Sequence, residues 1–251
     1  MTEGNQTPRA GLRGRAVVVS GGTSGLGFAV AQRLVAEGAR VWILGSSQKS
    51  VGAALRQLDG AAGGSAGDAA EEAAVEAGVA AAVEQLGGID GAFCNAGIDG
   101  ENRNALELSA DHFRRVLDVN VVGAFLLARS VARVMAPGSA IVINASLAAL
   151  RPRAGFADYN TSKAAAATLA KSLALDLSER GIAVMAVCPG TFPTPMTAER
   201  IADPATRAQI LSSTPAGRLG EPEELAALVG FLLSGEAPYM TGSIVTIGGG
   251  G

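Results

Sequence analysis

The strongest constraint on the fold is a glycine-rich loop near the start of the chain. It follows an apolar, β-branched run at 15–20 and contains Gly21, Gly25 and Gly27 in a Gly-x3-Gly-x-Gly spacing. A helical pattern at 28–37 comes directly after it. A turn between a strand and a helix delivers backbone N–H groups and a helix N-terminus to one place, which suits a pyrophosphate. Taken alone, the loop also fits an ordinary tight turn in a glycine-rich chain.

Apolar runs and helical patterns alternate along the rest of the chain. Further strands are predicted at 41–44, 60–67, 89–94, 140–144, 182–187 and 243–247, and further helices at 50–58, 68–86, 109–136, 159–179 and 223–233. The run at 60–67 has no β-branched residue, so only its place in the alternation predicts a strand there. Strands that alternate with helices from end to end predict an α/β fold, a doubly wound parallel sheet of about seven strands flanked by helices.

Length and charge limit the domain count and the partners. The chain has 251 residues, enough for one large α/β domain at 14–251, and residues 1–13 are polar and predict a loose leader. The formal charge is −3 without a lysine-arginine cluster, which argues against a nucleic-acid partner. No run is long and apolar enough to cross a bilayer, so we expect no membrane partner.

The cysteines and the histidine predict no metal site. Cys94 and Cys188 lie far apart, each at the end of an apolar run and outside any CxxC or Cys/His cluster. We expect buried, reduced thiols in a cytoplasmic protein, with a disulfide or metal site as the alternative. His112 is expected on a helix surface, because nothing around it in sequence builds a metal site or a catalytic triad.

A tyrosine and a lysine stand one helical turn apart. Tyr159 and Lys163 fall on one face of the predicted helix at 159–179. A positive charge one turn away favours a phenolate, so we expect Lys163 to lower the pKa of Tyr159 and make it an acid/base for an alcohol or ketone. Standing alone, the pair would better fit a surface tyrosine and lysine at helical spacing.

Further motifs accompany this pair in a fixed order. Asn95-Ala96-Gly97 follows the fourth strand, Asn120 lies in the long helix, Ser146 precedes Tyr159 by thirteen residues, and Pro189-Gly190 follows the sixth strand. Over 14–249 the chain resembles the classical short-chain dehydrogenase/reductase family, close to 3-oxoacyl carrier protein reductases and 3-hydroxyacyl dehydrogenases. The resemblance implies a single-domain Rossmann-type fold, a nicotinamide cofactor and hydride transfer at a ketone or secondary alcohol.

The resemblance also implies the roles of the site residues. Tyr159 is the expected acid/base, Lys163 supports it and holds the nicotinamide ribose, Ser146 hydrogen-bonds the substrate oxygen, and Asn120 keeps a water in a proton relay. As hydride arrives, the carbonyl oxygen gains negative charge that Ser146 and Tyr159 are placed to stabilise. The cofactor-binding residues, besides Tyr159 and Lys163, are expected to be Gly21, Thr23, Ser24, Gly25, Leu26, Gly27, Gly45, Ser46, Ser47, Asp68, Asn95, Ala96, Gly97, Pro189, Gly190, Thr191 and Thr194.

The end of the second strand departs from the family pattern. Where NAD-preferring members carry an acidic residue and NADP-preferring members a basic one, this chain has Gly45-Ser46-Ser47. The missing carboxylate removes repulsion of a 2′-phosphate, and Ser46, Ser47 and Lys49 offer donors. The sequence therefore favours NADP(H) over NAD(H).

The partners are expected to be a small-molecule carbonyl or alcohol substrate and further copies of the chain. Substrate choice is assigned to 147–156, to 98–103 and to a lid at 191–215. Within the first of these segments, Arg151 and Arg153 suit either an anionic substrate or simple solvation. Alanine- and leucine-rich helices suggest a homotetramer. The alternative function is a catalytically silent dinucleotide-binding redox sensor or scaffold.

Overall fold

The computed structural model describes residues 11–59 and 62–251. The predicted leader at 1–13 thus lies outside the described residues except for its last three. The strands, in chain order, are β1 Ala16–Ser20, β2 Arg40–Gly45, β3 Ala62–Ala66, β4 Gly91–Cys94, β5 Ala140–Asn144, β6 Ala183–Pro189 and β7 Ile244–Ile247. They form one seven-stranded parallel sheet in the order β3-β2-β1-β4-β5-β6-β7, which confirms the predicted fold class.

Helices cover both faces of this sheet. They are α1 Gly25–Ala36, α2 Gln48–Leu55, α3 Glu72–Leu86, α4 Ala110–Leu117, α5 Gly123–Val134, α6 Ala157–Leu177, α7 Ala198–Ala202, α8 Pro204–Ser212 and α9 Pro222–Leu233. In the described part of the chain, no helix has the length and apolar content of a membrane span.

The core consists of two apolar layers, because neighbouring residues of a strand point to opposite faces. In β1, Val18 packs into the layer under α3, α5 and α6, whereas Val17 and Val19 pack into the layer under α1, α2 and α9. All three valines are fully buried. Strands buried on both faces need continuous apolar runs, and this is the pattern that made β1 recognisable in the sequence.

The third strand, β3, is rich in glycine because side chains of the adjacent strand β2 fill the space on both of its faces. A Cβ on Gly63 would lie 2.3 Å from Cζ3 of Trp42, and one on Gly64 would lie 2.8 Å from Cγ1 of Ile43. The Trp42 indole also donates a hydrogen bond to Ser65 Oγ at 3.2 Å. The large side chains of β2 therefore select residues without a side chain in β3, although such residues have low strand propensity.

The predicted helix at 109–136 is divided into three parts. A π-helical turn at Asp118–Val122 separates α4 from α5. Single π turns inside helices commonly occur at functional sites, and this one contains Asn120. The predicted lid also contains two short helices, α7 and α8, and Asp203 caps the second by accepting a hydrogen bond from the Thr206 N–H at 2.8 Å.

The sheet order places the functional groove. Chain order runs outward from β1 through β2 to β3 on one side and from β4 to β7 on the other, so the carboxyl ends of β1 and β4 flank the point where the direction reverses. Connections leave this point on opposite faces of the sheet, which opens a crevice. The glycine loop follows β1, Asn95 follows β4 and Ser146 follows the adjacent strand β5.

Candidate active site

The glycine loop has the shape that close approach of a phosphate requires. Gly21 and Gly25 have φ of +62° and +54°, a region in which side chains with a Cβ are strained. A Cβ on Gly27 would lie 2.3 Å from the carbonyl oxygen of Gly21, so Gly27 lets α1 pack against the loop. Ser24 precedes α1 without capping it through its side chain, which leaves the first N–H groups of α1 for a ligand.

A cavity of about 470 Å³ runs along the carboxyl ends of the strands. Its volume and its mixture of apolar walls and a few polar groups are typical of a small-molecule site. The predicted site residues that line it are Gly21, Thr23, Ser24, Gly25, Leu26, Gly45, Ser46, Asp68, Asn95, Ala96, Gly97, Ser146, Tyr159, Lys163, Pro189, Gly190 and Thr194. The crevice, the glycine loop and the open N-terminus of α1 together fit an elongated dinucleotide.

Four predicted residues do not line this cavity. Gly27 lies beneath the loop and acts through packing, and Asn120 is buried behind Gly97. Ser47 caps α2, since its hydroxyl accepts a hydrogen bond from the Ser50 N–H at 3.2 Å. Thr191 borders a separate cavity of about 80 Å³. The cofactor contacts expected of Ser47 and Thr191 stay predictions.

Two asparagines hold the floor of the cavity. Asn95 Nδ2 donates to the carbonyl oxygens of Ser20 and Gly21 at 3.1 and 3.3 Å, which fixes the glycine loop to the end of β4. Asn144 Nδ2 donates to Asn95 Oδ1 at 2.8 Å. Asn144 was not predicted as a site residue; its polar side chain at the end of an apolar strand is the signal that could have revealed it.

Ser146, Tyr159 and Lys163 meet at the inner end of the cavity. Ser146 follows β5, and the other two lie one turn apart on α6, where Lys163 Nζ is 5.6 Å from the centroid of the Tyr159 ring. The Ser146 side chain forms a hydrogen bond that stabilises the ionised Tyr159. The structure thus brings together the hydroxyl, phenol and ammonium that the sequence motifs predicted.

The predicted electrostatics of Tyr159 are wrong. Its pKa is raised, first by burial and then by the negative charge of Asp99. The opposing effects come from the hydrogen bond with Ser146 and from the positive charges of Arg153 and Arg200, not from Lys163. Burial outweighs them because it disfavours the charged phenolate. The phenol is therefore protonated at neutral pH and ready to donate its proton.

Lys163 is a buried cation with one backbone partner. Its side chain is only 4% exposed, and Nζ donates a hydrogen bond to the carbonyl oxygen of Asn144 at 2.8 Å. Burial lowers its pKa to about 8, while the charges of Cys188 and Asp99 act in the opposite direction. An ammonium has three donors, so the contact with Asn144 leaves others for hydroxyl groups in the cavity.

Asn120 joins the π-helical turn to the loop after β4. Its Oδ1 accepts the Ile98 N–H at 2.8 Å, and its Nδ2 donates to the Ile98 carbonyl and to Ser162 Oγ, both at 3.0 Å. A Cβ on Gly97 would lie 3.0 Å from Asn120 Oδ1 and 3.5 Å from Lys163 Nζ. Asn120 therefore fixes the backbone at Gly97 and Ile98, which lies between its own side chain and Lys163.

The sequence also missed a polar cluster beside Tyr159. Asp158 is completely buried and accepts hydrogen bonds from the N–H groups of Tyr159 and Glu101 at 2.7 and 3.1 Å. His112 was predicted on a helix surface, but its Nε2 lies 3.3 Å from Asp158 Oδ2. The cluster ties the loop at 98–103 to the first turn of α6. No sequence spacing could reveal it, because α4 and α6 meet only in the folded chain.

The residues at the end of β2 define the region where a 2′-phosphate would lie. A Cβ on Gly45 would lie 2.5 Å from the Thr23 methyl and 2.9 Å from the Val51 methyl, so the position is filled by its neighbours. Ser46 is exposed and lines the cavity. No carboxylate occupies the end of β2, and of the residues Gly45-Ser46-Ser47 it is Ser46 that brings a polar side chain to the cavity.

The sequence comparisons agree with this geometry. A family model described as enoyl-(acyl carrier protein) reductase matches residues 21–251. The chain is 38% identical over 250 residues to 3beta-hydroxysteroid dehydrogenase 1 of Eggerthella lenta, with 95% of this chain and 94% of that protein covered. It is 33% identical over 255 residues to dehydrogenase/reductase SDR family member 4 of Homo sapiens, with 100% and 92% covered.

Solved structures have the same fold. A 3-ketoacyl-(acyl-carrier-protein) reductase from Brucella melitensis complexed with NADH superposes with a TM-score of 0.87 at 31% identity, covering 95% of this chain and 98% of that one. A short chain dehydrogenase from Burkholderia cenocepacia in complex with NADP gives 0.89 at 34% identity, with the same coverage. The chain therefore belongs to the short-chain dehydrogenase/reductase family, the NAD(P)-dependent oxidoreductases that act on alcohols and ketones.

Proposed function

We propose that the protein is a cytoplasmic, homotetrameric reductase that uses NADPH to convert a ketone into a secondary alcohol. The observation that carries the proposal is a protonated Tyr159 beside Ser146 at the inner end of a cavity that fits a dinucleotide. A phenol that keeps its proton at pH 7 suits reduction, in which the substrate oxygen must receive one. Buried free thiols at Cys94 and Cys188 support the location, which cell fractionation would test.

In the proposed mechanism the bound nicotinamide supplies the hydride. Ser146 and Tyr159 hold the carbonyl oxygen with two donors and stabilise the charge that develops on it, and Tyr159 then gives up its proton. Lys163 would hold the ribose hydroxyls with the donors that its contact with Asn144 leaves free. Asn120 would support this arrangement by fixing the backbone at Ile98 beside Lys163.

Turnover of ketones tests this function. NADPH oxidation, followed at 340 nm, is measured with a panel of aliphatic, cyclic and steroid ketones, because a hydroxysteroid dehydrogenase and a 3-ketoacyl reductase are among the similar proteins. We expect several members of the panel to be reduced. Tight NADPH binding without turnover of any ketone would contradict the enzyme and favour a dinucleotide sensor.

Preference for NADPH rests on Ser46. The hydroxyl faces the cavity, the end of β2 carries no carboxylate to repel a 2′-phosphate, and a charge-assisted hydrogen bond from the hydroxyl would stabilise the phosphate. The exposed Lys49, two residues after Gly45-Ser46-Ser47, offers a second donor for the phosphate. We infer a modest preference, since a hydroxyl and a flexible ammonium lack the fork of an arginine.

Substitutions at Ser46 are expected to move the preference in opposite directions. Ser46→Asp places a negative charge beside the 2′-phosphate and lowers NADPH affinity by about tenfold, whereas Ser46→Arg raises it by a similar factor. NADH affinity should change less than NADPH affinity in both variants. Fluorescence titration with both cofactors measures the ratio. Unchanged ratios in both variants would place the phosphate elsewhere. Gly45→Asp is a poorer test, because Thr23 would have to move.

Two apolar surfaces support the tetramer. Val134 on α5 and Leu175 on α6 are 48% and 77% exposed, and Phe231 on α9 and Tyr239 before β7 are 44% and 101% exposed. Two separate self-complementary contacts generate D₂ symmetry. We expect light scattering to give four times the chain mass and Leu175→Glu to reduce it to a dimer. A wild-type monomer at micromolar concentration would refute the assembly.

A further inference from the structure

Two arginines pack on the aromatic residue that begins the catalytic helix. The guanidinium carbons of Arg153 and Arg200 lie 4.4 and 5.5 Å from the centroid of the Phe156 ring. Phe156 directly precedes α6 and is only 7% exposed, so its ring is held in place by its surroundings. Stacking on a fixed ring orients a guanidinium and reduces the freedom it would have in solvent. Both charges are thus held against a ring that precedes Tyr159 by three residues.

The backbone that carries Arg153 is also fixed. The Asn160 side chain donates to the Arg153 carbonyl at 2.7 Å and accepts the Arg153 N–H at 3.3 Å. Two residues later, the Gly155 carbonyl accepts a hydrogen bond from the Arg103 N–H at 2.9 Å. Arg153 is therefore an exposed residue on a backbone segment that is hydrogen-bonded to α6 and to the loop at 98–103.

The charges around Phe156 do not cancel. Arg200 on α7 forms an ion pair with Asp99, which joins the lid to the loop after β4. Glu101 in the same loop pairs with Arg103 at 2.8 Å. Arg153 forms no ion pair with a carboxylate in the part of the chain that the structure describes. Of the three arginines in this region, Arg103, Arg153 and Arg200, Arg153 is therefore the one without a carboxylate partner.

The charge of Arg153 lies close to Tyr159. Arg153 packs on Phe156, three residues before Tyr159, and its backbone is hydrogen-bonded to Asn160, the residue after Tyr159. Arg153, Arg200 and Asp99 all act electrostatically on the phenol. None of the three lines the 470 Å³ cavity that fits a dinucleotide.

We infer that the natural substrate is an oxo acid whose carboxylate binds Arg153 while its ketone faces Ser146 and Tyr159. The inference rests on the proposed function and adds the substrate class. A guanidinium offers two parallel N–H donors that match a carboxylate. Arg200 pairs with Asp99 and so offsets part of the repulsion that this carboxylate exerts on an anion.

Matched pairs of substrates test the inference. The value of kcat/KM is measured with NADPH for 4-oxopentanoate, 5-oxohexanoate and 6-oxoheptanoate and for their methyl esters, which differ in the charge and not in the ketone. We expect the best acid to exceed its ester by about tenfold or more, as for one charge-assisted contact. Arg153→Gln should remove the preference, and Arg153→Lys should keep part of it.

Arg151 provides the control. It is an exposed arginine of the same loop, and its charge is not among those that shift the pKa of Tyr159. Arg151→Gln removes the same charge and should leave the acid-to-ester ratio within about twofold of wild type. Equal loss of the ratio in Arg151→Gln and Arg153→Gln, or a wild type without preference, would overturn the inference.

A binding measurement separates this inference from the proposed function. Calorimetry of the Tyr159→Phe variant with NADPH compares the affinities of each acid and its ester without turnover. Tighter binding of the acid, combined with no turnover of any ketone by wild type, would refute the reductase and retain the anion site. Turnover of acids and esters at equal rates, with equal affinities, would refute the anion site and retain the reductase.

Discussion

Replacement of Tyr159 by phenylalanine is expected to lower kcat/KM for ketone reduction by about 10²–10⁴, the usual contribution of a positioned acid. The variant loses only a hydroxyl, and the pKa of that hydroxyl is raised chiefly by burial, so it is a proton donor in the wild type. Its aromatic ring, which packs 5.6 Å from Lys163 Nζ, is retained. We therefore expect NADPH affinity to change by less than about twofold.

The chain contains its own control for this substitution. Tyr239 is the second tyrosine and is 101% exposed, so Tyr239→Phe removes an identical hydroxyl far from the cavity. It should leave kcat/KM unchanged. Stopped-flow measurement of NADPH oxidation separates the chemical step from product release. Activity of Tyr159→Phe within a few-fold of wild type would exclude the phenol as the acid.

Replacement of Lys163 by methionine is expected to stabilise the fold and to weaken NADPH binding. Burial lowers the pKa of Lys163 from 10.5 to about 8, which corresponds to a cost of about 3 kcal/mol for holding the charged form in the fold at pH 7. Methionine fills a similar volume without charge, and the unpaired Asn144 carbonyl costs about 1 kcal/mol in return. We expect a net gain of about 2 kcal/mol in the free energy of unfolding and much weaker NADPH binding.

The lowered pKa of Lys163 predicts that the free energy of unfolding depends on pH. Between pH 8 and 10.5 the unfolded chain keeps the Lys163 proton that the folded chain has released. Stability therefore rises with pH in this window, and the full cost is present below pH 8. From pH 7 to 9 the contribution of Lys163 is about 1 kcal/mol. Buried Cys94 and Cys188, whose pKa values are raised, act in the opposite direction above pH 9.

Urea unfolding at pH 7 and 9 measures this difference. The change with pH should be about 1 kcal/mol more positive in wild type than in Lys163→Met, and the further rise in the pKa of Cys188 when Lys163 is lost acts in the same direction. Lys171→Met, which removes an exposed lysine of the same helix, is the control and should behave like wild type. Parallel pH profiles for wild type and Lys163→Met would show that Lys163 is not destabilised by burial.

Much of the site was readable from the sequence because it is built where strands end. Gly21, Asn95 and Ser146 each follow an apolar run, and parallel strands bring their carboxyl ends to one edge of the sheet. Tyr159 and Lys163 are one helical turn apart, so local geometry alone places them together. The weakly predicted third strand was also present, although its glycines are explained only by Trp42 and Ile43 of the adjacent strand.

The predictions that failed depended on groups distant in sequence. The pKa of Tyr159 was expected to fall because of Lys163, but burial and Asp99 raise it, and the opposing cations are Arg153 and Arg200. Desolvation and charge act over a few ångströms in space, and the separation of these residues along the chain contains no information about such distances.

The sequence by itself therefore determined the order of strands and helices, the glycine loop and the pairing of Tyr159 with Lys163, because each depends on periodicity or on neighbouring residues. Only the tertiary structure decided the electrostatics of the site. The contact of His112 with Asp158 and the unpaired charge of Arg153 on Phe156 arise where the loops after β4 and β5, the lid and α6 pack together. Those contacts join residues up to a hundred positions apart, as in the pair of Asp99 with Arg200, and packing alone brings them together.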